Sequence, residues 1–158
     1  MVRAGHFDDV DIAITWHPSR FWEVAVTPSL AKTRADFSFT GRTSHAAASP
    51  HLGRSALDAV ELMNVGVNYM REHMPSDARV HYAVPDTGGI APNAVQAPAP
   101  VRHSIRARDL PGMTQLVGRV QKIPERPAPT TDTTRQIRLA SAVSHPLPFF
   151  LQAAIDVF

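Results

Sequence analysis

The order of the hydrophobic patterns between residues 34 and 123 constrains the fold more than any other feature of the chain. Alternation of apolar residues over 34–40 predicts a β-strand, and apolar residues spaced three and four apart over 55–73 predict a long helix. Two further extended segments follow over residues 79–84 and 95–107, and a second helix begins near Pro111. This order predicts an α+β fold, a ferredoxin-like βαββα split motif that lacks its last strand.

The segments on either side of this pattern have a different character. Alternating apolar residues predict a strand over 10–16, which stops at His17 because Pro18 follows. After Ile123 the chain becomes polar and rich in proline, which predicts an unfolded stretch, and residues 147–158 show no clear period. We therefore expect three regions, which are residues 1–30, residues 31–123 and a Pro-rich divergent tail at 124–158.

Composition excludes several classes of protein. The 158 residues include no Cys, which excludes disulfides, thiolate metal sites and a Cys nucleophile. The 16 basic and 14 acidic residues give a net charge of +2, and the arginines are scattered, so nucleic-acid binding is not expected. No apolar run approaches the ~20 residues of a membrane helix, and the N-terminus lacks the apolar core of a signal peptide. We expect a cytoplasmic protein without a membrane or nucleic-acid partner.

Three polar residues are candidates for chemistry on the basis of their positions alone. His17 ends a predicted strand, where ligands gather in α/β sheets, so it is either a metal ligand or an incidental residue at a strand terminus. His45 lies in a loop of small residues and can approach another surface, although an ordinary loop His fits the same pattern. Asn93 follows a Gly-Gly turn and is equally well explained as an Asx-turn residue. His103 alternates with apolar neighbours, which indicates a packed strand residue.

Several separate segments resemble one family of enzymes. Residues 7–18, which include Thr15-Trp16-His17-Pro18, look like the end of the catalytic core of the two-metal amidohydrolases, the metallopeptidase family of aminoacylases, carboxypeptidase G and auxin-conjugate hydrolases. Residues 39–47 resemble the start of that family's inserted lid, or dimerisation, domain. Residues 53–64 and 91–96 are similar to the aminobenzoyl-glutamate utilisation branch. The resemblance covers residues 1–123.

This resemblance implies a fold, a reaction and a set of site residues. It implies an α/β zinc-peptidase-like catalytic domain, of which residues 1–30 are a remnant, followed by a ferredoxin-like lid. His17 matches a ligand of a centre with two divalent metals, zinc or manganese, and His45 matches a lid His that reaches the scissile carbonyl in the partner subunit's active site. Asn93 and Arg106 match lid positions near the carboxylate end of the substrate. The implied function is hydrolysis of an N-acyl amino acid or an aminobenzoyl-glutamate-like amide by a homodimer joined through its lids.

The chain also departs from the family pattern. The other metal ligands and the general-base Glu of the family match no residue here, and the tail does not resemble the family. We therefore expect an internal fragment that binds no metal stably and is inactive alone. The alternative is a non-catalytic dimerisation module that pairs through an exposed lid edge. A third option is a small anion-binding protein that uses Arg42, Arg54 and Arg106.

Overall fold

The computed structural model describes residues 4–12, 15–18, 24–25, 30–140 and 152–155. The chain divides into two units, which are residues 1–29 with 145–158 and residues 30–144. Each unit contains a β-sheet of its own, one with three strands and one with four.

The smaller unit contains the three-stranded sheet. β1 (Thr15–Pro18) runs parallel to β7 (Gln152–Ile155), and β2 (Val24–Ala25) pairs with the same strand in the antiparallel direction. The strand predicted over 10–16 is wrong at its start, because residues 4–12 form turns in which the Val10 N–H donates to the Phe7 carbonyl at 3.2 Å. That N–H is not available to a strand ladder, and β1 begins at Thr15.

The larger unit is a four-stranded antiparallel sheet with two long helices. Its strands lie in the order β4-β5-β3-β6, with the bounds β3 (Ala31–Thr40), β4 (Arg79–Ala83), β5 (Pro98–Ala107) and β6 (Thr134–Leu139). The helices are α1 (Ala56–Arg71) and α2 (Leu110–Lys122), and a short helix, α3 (Pro127–Thr130), precedes β6. The predicted mixed fold is confirmed, and the elements predicted between residues 34 and 123 lie within three residues of the observed bounds.

The alternation seen in the sequence explains which face of the sheet is buried. In β3 and β5 every second side chain is buried, and the residues between them are mostly exposed. The helices pack on the buried face, since both contact β3 and β5. The core that results combines strand and helix residues: Phe37, Phe39, Val101, Ile105, Val60, Met63, Val67 and Val120.

Each of the two long helices is capped by a side chain at its N-terminus. The Ser55 hydroxyl accepts a hydrogen bond from the Asp58 N–H at 3.1 Å, which confirms the predicted start of α1. Asp109 caps α2 by accepting from the Gly112 N–H at 2.8 Å. No helix among the described residues combines the length and the hydropathy needed to cross a bilayer.

The prediction that the last strand is missing is wrong. β6 pairs with β3 from Thr134 opposite Thr40 to Leu139 opposite Ala35, which completes the order β-α-β-β-α-β. β6 is an outer strand of the sheet, and five of its six residues are exposed. Such a strand lacks the alternation of buried apolar residues by which a strand is predicted from sequence. The proline-rich stretch before it is not unfolded either, since Pro124, Pro127 and Ala128 are buried.

Pro98 and Pro100 lie in β5 where that strand has a single neighbour. Both pair in register with β3, opposite Thr40 and Ser38, whereas pairing with β4 begins only at Arg102. A proline has no N–H to donate, so it is tolerated on a side without a partner strand. The absence of a β4 partner along this part of β5 therefore explains how the strand accommodates two prolines.

Candidate functional site

Two loops meet at the end of the sheet where β3 finishes. Residues 41–55 connect β3 to α1, and residues 84–97 connect β4 to β5. The Gly41 N–H donates to the Ala97 carbonyl at 2.7 Å, and the backbones of Arg42 and Arg54 exchange hydrogen bonds at 2.9 and 2.8 Å. A Cβ atom on Gly41 would lie 1.9 Å from the Arg54 carbonyl oxygen, so this close approach requires glycine. We call the surface formed by the two loops the lid tip.

His45 and Asn93 lie next to each other at the lid tip. His45 pairs with Ala94 in an antiparallel bridge, and the Ala46 N–H donates to the Asn93 carbonyl at 2.9 Å. Both residues are exposed. The structure therefore brings together two of the residues that the family resemblance assigned to the site. Sequence reasoning placed each one in a loop but had no means of pairing the two loops.

The backbone holds the imidazole of His45 in one orientation. Its Nδ1 accepts hydrogen bonds from the N–H groups of Ala47 and Ala48 at 3.2 and 3.1 Å. A neutral imidazole has one accepting nitrogen and one N–H, so acceptance at Nδ1 leaves the proton on Nε2. Because the residue is exposed and lies beside a run of small side chains in the loop, its Nε2–H is accessible to an approaching acceptor. This donor is the chemically distinctive feature of the lid tip.

Arg106 lies at the other end of β5 from the lid tip. It is eight positions along the strand from Pro98, whose partner Thr40 adjoins the lid tip, and at about 3.3 Å per position this corresponds to about 26 Å. The residues opposite Arg106 are Lys32 on β3 and Arg79 on β4. A single small substrate cannot contact His45 and Arg106 of the same chain.

Arg42 and Arg54, which the anion-binding option combined with Arg106, hold the loop together. The Arg54 Nε donates to Asp132 Oδ2 at 2.7 Å, and its NH1 donates to two carbonyl oxygens of its own loop. The Arg42 Nε donates to the Leu52 carbonyl oxygen. These groups are occupied within the fold and lie far from Arg106, so the structure does not bring the three arginines together.

His17 lies in β1, opposite Ala154 of β7. Its side chain lies outside the described part of the chain, so its role as a metal ligand stays a prediction. Among the residues that the structure describes, no three His, Cys, Asp or Glu side chains cluster in a way that could hold a metal ion. The described residues alone do not fit a two-metal centre.

His103 is fully buried in β5, as predicted for a packed strand residue. Its ring lies 5.3 Å from the Phe37 ring in an edge-to-face arrangement and 5.5 Å from the Tyr82 ring, centroid to centroid. Neither ring nitrogen has a hydrogen-bond partner among the described residues. Burial, with a smaller contribution from the positive charge of Arg71, lowers the pKa of His103 to about 4. This residue belongs to the core and takes no part in the lid tip.

Sequence reasoning missed a concentration of positive charge on the open face of the sheet. Asp36 is the one carboxylate on this face among the described strand residues, and Arg102 donates to both of its oxygens at 2.8 and 3.1 Å, which lowers the pKa of Asp36. The cations of the same face come from all four strands: Lys32, Arg34, Arg79, Arg102, Arg106 and Arg138. They are scattered along the chain, and only the register of the strands gathers them.

Comparison with known proteins finds relatives that cover most of the chain. The chain is 51% identical over 148 residues to a subunit of the p-aminobenzoyl-glutamate hydrolase of Escherichia coli, an alignment that covers 94% of this chain and 31% of the relative. It is 32% identical over 116 residues to the Xaa-Arg dipeptidase of Mus musculus, which covers 73% of this chain and 26% of that protein. No protein-family model matches the chain.

A solved structure agrees with these relatives. The aminobenzoyl-glutamate utilization protein from Klebsiella pneumoniae superposes with a TM-score of 0.69 at 25% identity, over 94% of this chain and 39% of that one. The chain thus spans about a third, 31%, of the E. coli relative. Both comparisons support the resemblance to this family. Because the 148 aligned residues extend past residue 123, the expectation that the tail does not resemble the family is wrong. Over its aligned residues, the chain is similar to proteins of the amidohydrolase and peptidase family, among them this p-aminobenzoyl-glutamate hydrolase subunit.

Proposed function

We propose that the larger unit is the ferredoxin-like lid of a metal-dependent amidohydrolase that cleaves an aminobenzoyl-glutamate-like amide. The observation that carries the proposal is the imidazole of His45, whose Nδ1 is held by two backbone N–H groups so that Nε2–H can donate. The order β-α-β-β-α-β supports the ferredoxin-like lid. The names of the relatives, a hydrolase of p-aminobenzoyl-glutamate and a dipeptidase, support amide hydrolysis.

The fixed donor suits the charge that develops in this reaction. In amide hydrolysis water adds to the carbonyl carbon, the C–N bond breaks, and a carboxylic acid and an amine are formed. The carbonyl oxygen gains negative charge during the addition, and an N–H group already in position stabilises it without reorganisation. His45 supplies this hydrogen bond, and Asn93, which lies beside it, orients the same end of the substrate with its side-chain amide.

The metal is a separate element of the proposal. The family resemblance implies two divalent ions, zinc or manganese, with His17 as one of several ligands. In the described residues no three His, Cys, Asp or Glu side chains lie close enough together to hold a metal ion, so these residues alone do not fit such a centre. The role proposed for His45 requires only a carbonyl group under attack, whatever activates the water.

The distance between His45 and Arg106 supports a homodimer. About 26 Å of strand separates Arg106 from the lid tip, which is too far for one chain to place both side chains on a small amide. We therefore propose that each active site receives His45 and Asn93 from one chain and Arg106 from its partner. Residues 1–30, which the family resemblance matches to the end of the catalytic core, belong to the catalytic domain in this arrangement.

One observation favours the alternative function, a non-catalytic dimerisation module. β6 is an outer strand, and its far side pairs with no strand among the described residues. Such an edge accepts a strand from another chain. This function does not require the orientation of His45, so a substitution of that residue distinguishes the two functions.

A chimaera tests the proposal. The 148 aligned residues of this chain replace their counterparts in the E. coli relative, and hydrolysis of aminobenzoyl-glutamate is measured together with metal content. We expect His45→Ala to lower kcat on the order of 10²–10³-fold, the usual effect of removing one oxyanion donor, with unchanged metal content. His51→Ala is the matched control, because His51 is exposed in the adjacent turn and its side chain makes no hydrogen bond to a described residue.

Two outcomes would contradict the proposal. An active parent chimaera that retains its kcat after His45→Ala would overturn the role of His45. A parent chimaera that folds and binds metal but shows no turnover would count against the hydrolase itself and in favour of the dimerisation module.

A further inference from the structure

We propose that Lys32 and Arg79 extend the position of Arg106 into a site for two negative charges, which selects a dicarboxylic amino acid over a monocarboxylic one. The inference rests on the proposed function, in which Arg106 contacts the carboxylate end of the substrate. It adds two residues to which neither the family resemblance nor the relatives assign a role.

The three side chains form a row across three neighbouring strands. Lys32 on β3 is directly opposite Arg106 on β5, and Arg106 is directly opposite Arg79 on β4. Opposite residues in antiparallel strands share one face and have Cβ atoms about 4.5–5.5 Å apart. All three side chains are exposed on the open face of the sheet. We call this arrangement the cationic row.

The cationic row lacks the carboxylate that balances a comparable row on the same face. Four residues further along β3, Asp36 lies between Arg102 and Arg138, and it accepts both hydrogen bonds from Arg102. The three ion pairs among the described residues involve none of the cationic row. Like charges directly opposite each other destabilise a sheet. A bound anion would remove this repulsion, so the row has the electrostatics of a binding site.

The geometry of the row favours two carboxylates over one. Arg106 is flanked on both sides, so a second carboxylate on a short carbon chain meets Lys32 or Arg79 while the first contacts Arg106. The Arg79 NH1 donates to the Ala78 carbonyl at 2.6 Å and also to the Ser76 carbonyl, which restrains the guanidinium. Its Nε and NH2 have no partner among the described residues. A restrained guanidinium with donors to spare is well suited to hold a carboxylate.

The lysines of the chain provide a direct test that needs neither metal nor turnover. Lys32 and Lys122 are the only two lysines, so Lys32 reports on the row and Lys122 is an internal control. Reductive methylation of the purified chain would be followed by mass spectrometry of its peptides at constant ionic strength, with glutarate, butyrate or chloride. We expect glutarate at ten times its Kd to slow modification of Lys32 by about tenfold, with no change at Lys122 and little effect of butyrate.

Two variants with the same change of charge complete the test. Arg79→Gln should abolish the preference for glutarate over butyrate, whereas Arg138→Gln, on the same face but in the balanced row, should retain it. Absence of protection, equal protection by glutarate and butyrate, or loss of the preference in both variants would overturn the proposal. These results are independent of the His45 chimaera, so a failure of the proposed hydrolase and a failure of this site can be told apart.

Discussion

Acid should destabilise the larger unit through His103, a core residue rather than a site residue. The ring is fully buried, and neither nitrogen has a hydrogen-bond partner among the described residues. Burial first, and then the charge of Arg71, lower the pKa of His103 from 6.5 to about 4. Between these two values the unfolded chain binds a proton that the folded chain does not. The stability contributed by keeping His103 neutral in the core is therefore fully present above pH 6.5 and is lost as the pH is lowered towards 4.

The two pKa values set the size of the effect. The difference between a pKa of 6.5 and one of about 4, at 1.36 kcal/mol for each pKa unit, limits the loss in the free energy of unfolding to about 3.4 kcal/mol, of which about 3 kcal/mol is lost by pH 4. At pH 5 the loss relative to pH 7.5 is about 2 kcal/mol by the same linkage. Asp36 contributes little in this window, because its pKa is lowered from 3.8 and its stabilisation is lost only in stronger acid.

Urea denaturation between pH 4.5 and 7.5 would measure this loss. His103→Leu replaces the imidazole with an apolar side chain and should remove about 2 kcal/mol of the difference between pH 7.5 and pH 5. The same variant should be at least as stable as the parent at pH 7.5, since it removes two buried polar atoms without partners among the described residues. His81→Leu is the control, because His81 is exposed. A parent and a His103→Leu variant with the same pH dependence would refute this reasoning.

Three further predictions concern the loop, the last strand and the isolated chain. Gly41→Ala should lower the free energy of unfolding by about 1–3 kcal/mol, because the added Cβ would clash with the Arg54 carbonyl oxygen. Gly118→Ala is the control and should cause no such loss, because a Cβ there meets no atom within 4 Å. Equal losses for the two variants in urea denaturation would contradict the clash. The amide protons of β6 that point towards β3 should exchange more slowly than those of residues 86–90, and equal rates would contradict the pairing. The purified chain with zinc or manganese should not hydrolyse aminobenzoyl-glutamate, because His17 alone cannot bind two metals; turnover abolished by His17→Ala would disprove this.

Local signals in the sequence were sufficient for the elements between residues 34 and 123. The cap at Ser55 and the apolar spacing after it define α1, and alternation defines β3 and β5. Each of these signals depends on neighbours in the chain and on burial against a single core. β6 was missed because its residues are almost all exposed, so its position depends on hydrogen bonds to β3 and not on its own composition.

The candidate site shows the same limit more sharply. The family resemblance named His45, Asn93 and Arg106, but the proximity of the first two depends on a bridge between loops that are far apart in sequence, at His45 and Ala94. The hydrogen bonds that the His45 Nδ1 accepts depend on the turn that brings the N–H groups of Ala47 and Ala48 to it. The cationic row depends on the register of three strands. Contacts between segments that are distant in sequence depend on the tertiary structure, so the periodicity of a single segment cannot predict them.

The most direct test of the account is whether His45 acts on the active site of its partner. In the chimaera, His45→Ala removes the oxyanion donor and His17→Ala removes the predicted metal ligand, so each variant alone should be nearly inactive. After subunit exchange about half of the dimers are mixed, and each mixed dimer regains one of two sites, so about a quarter of the parental turnover should return. Recovery of that size would support donation between subunits. No recovery after verified exchange would contradict it and place His45 in its own chain's site or in the structure of the loop.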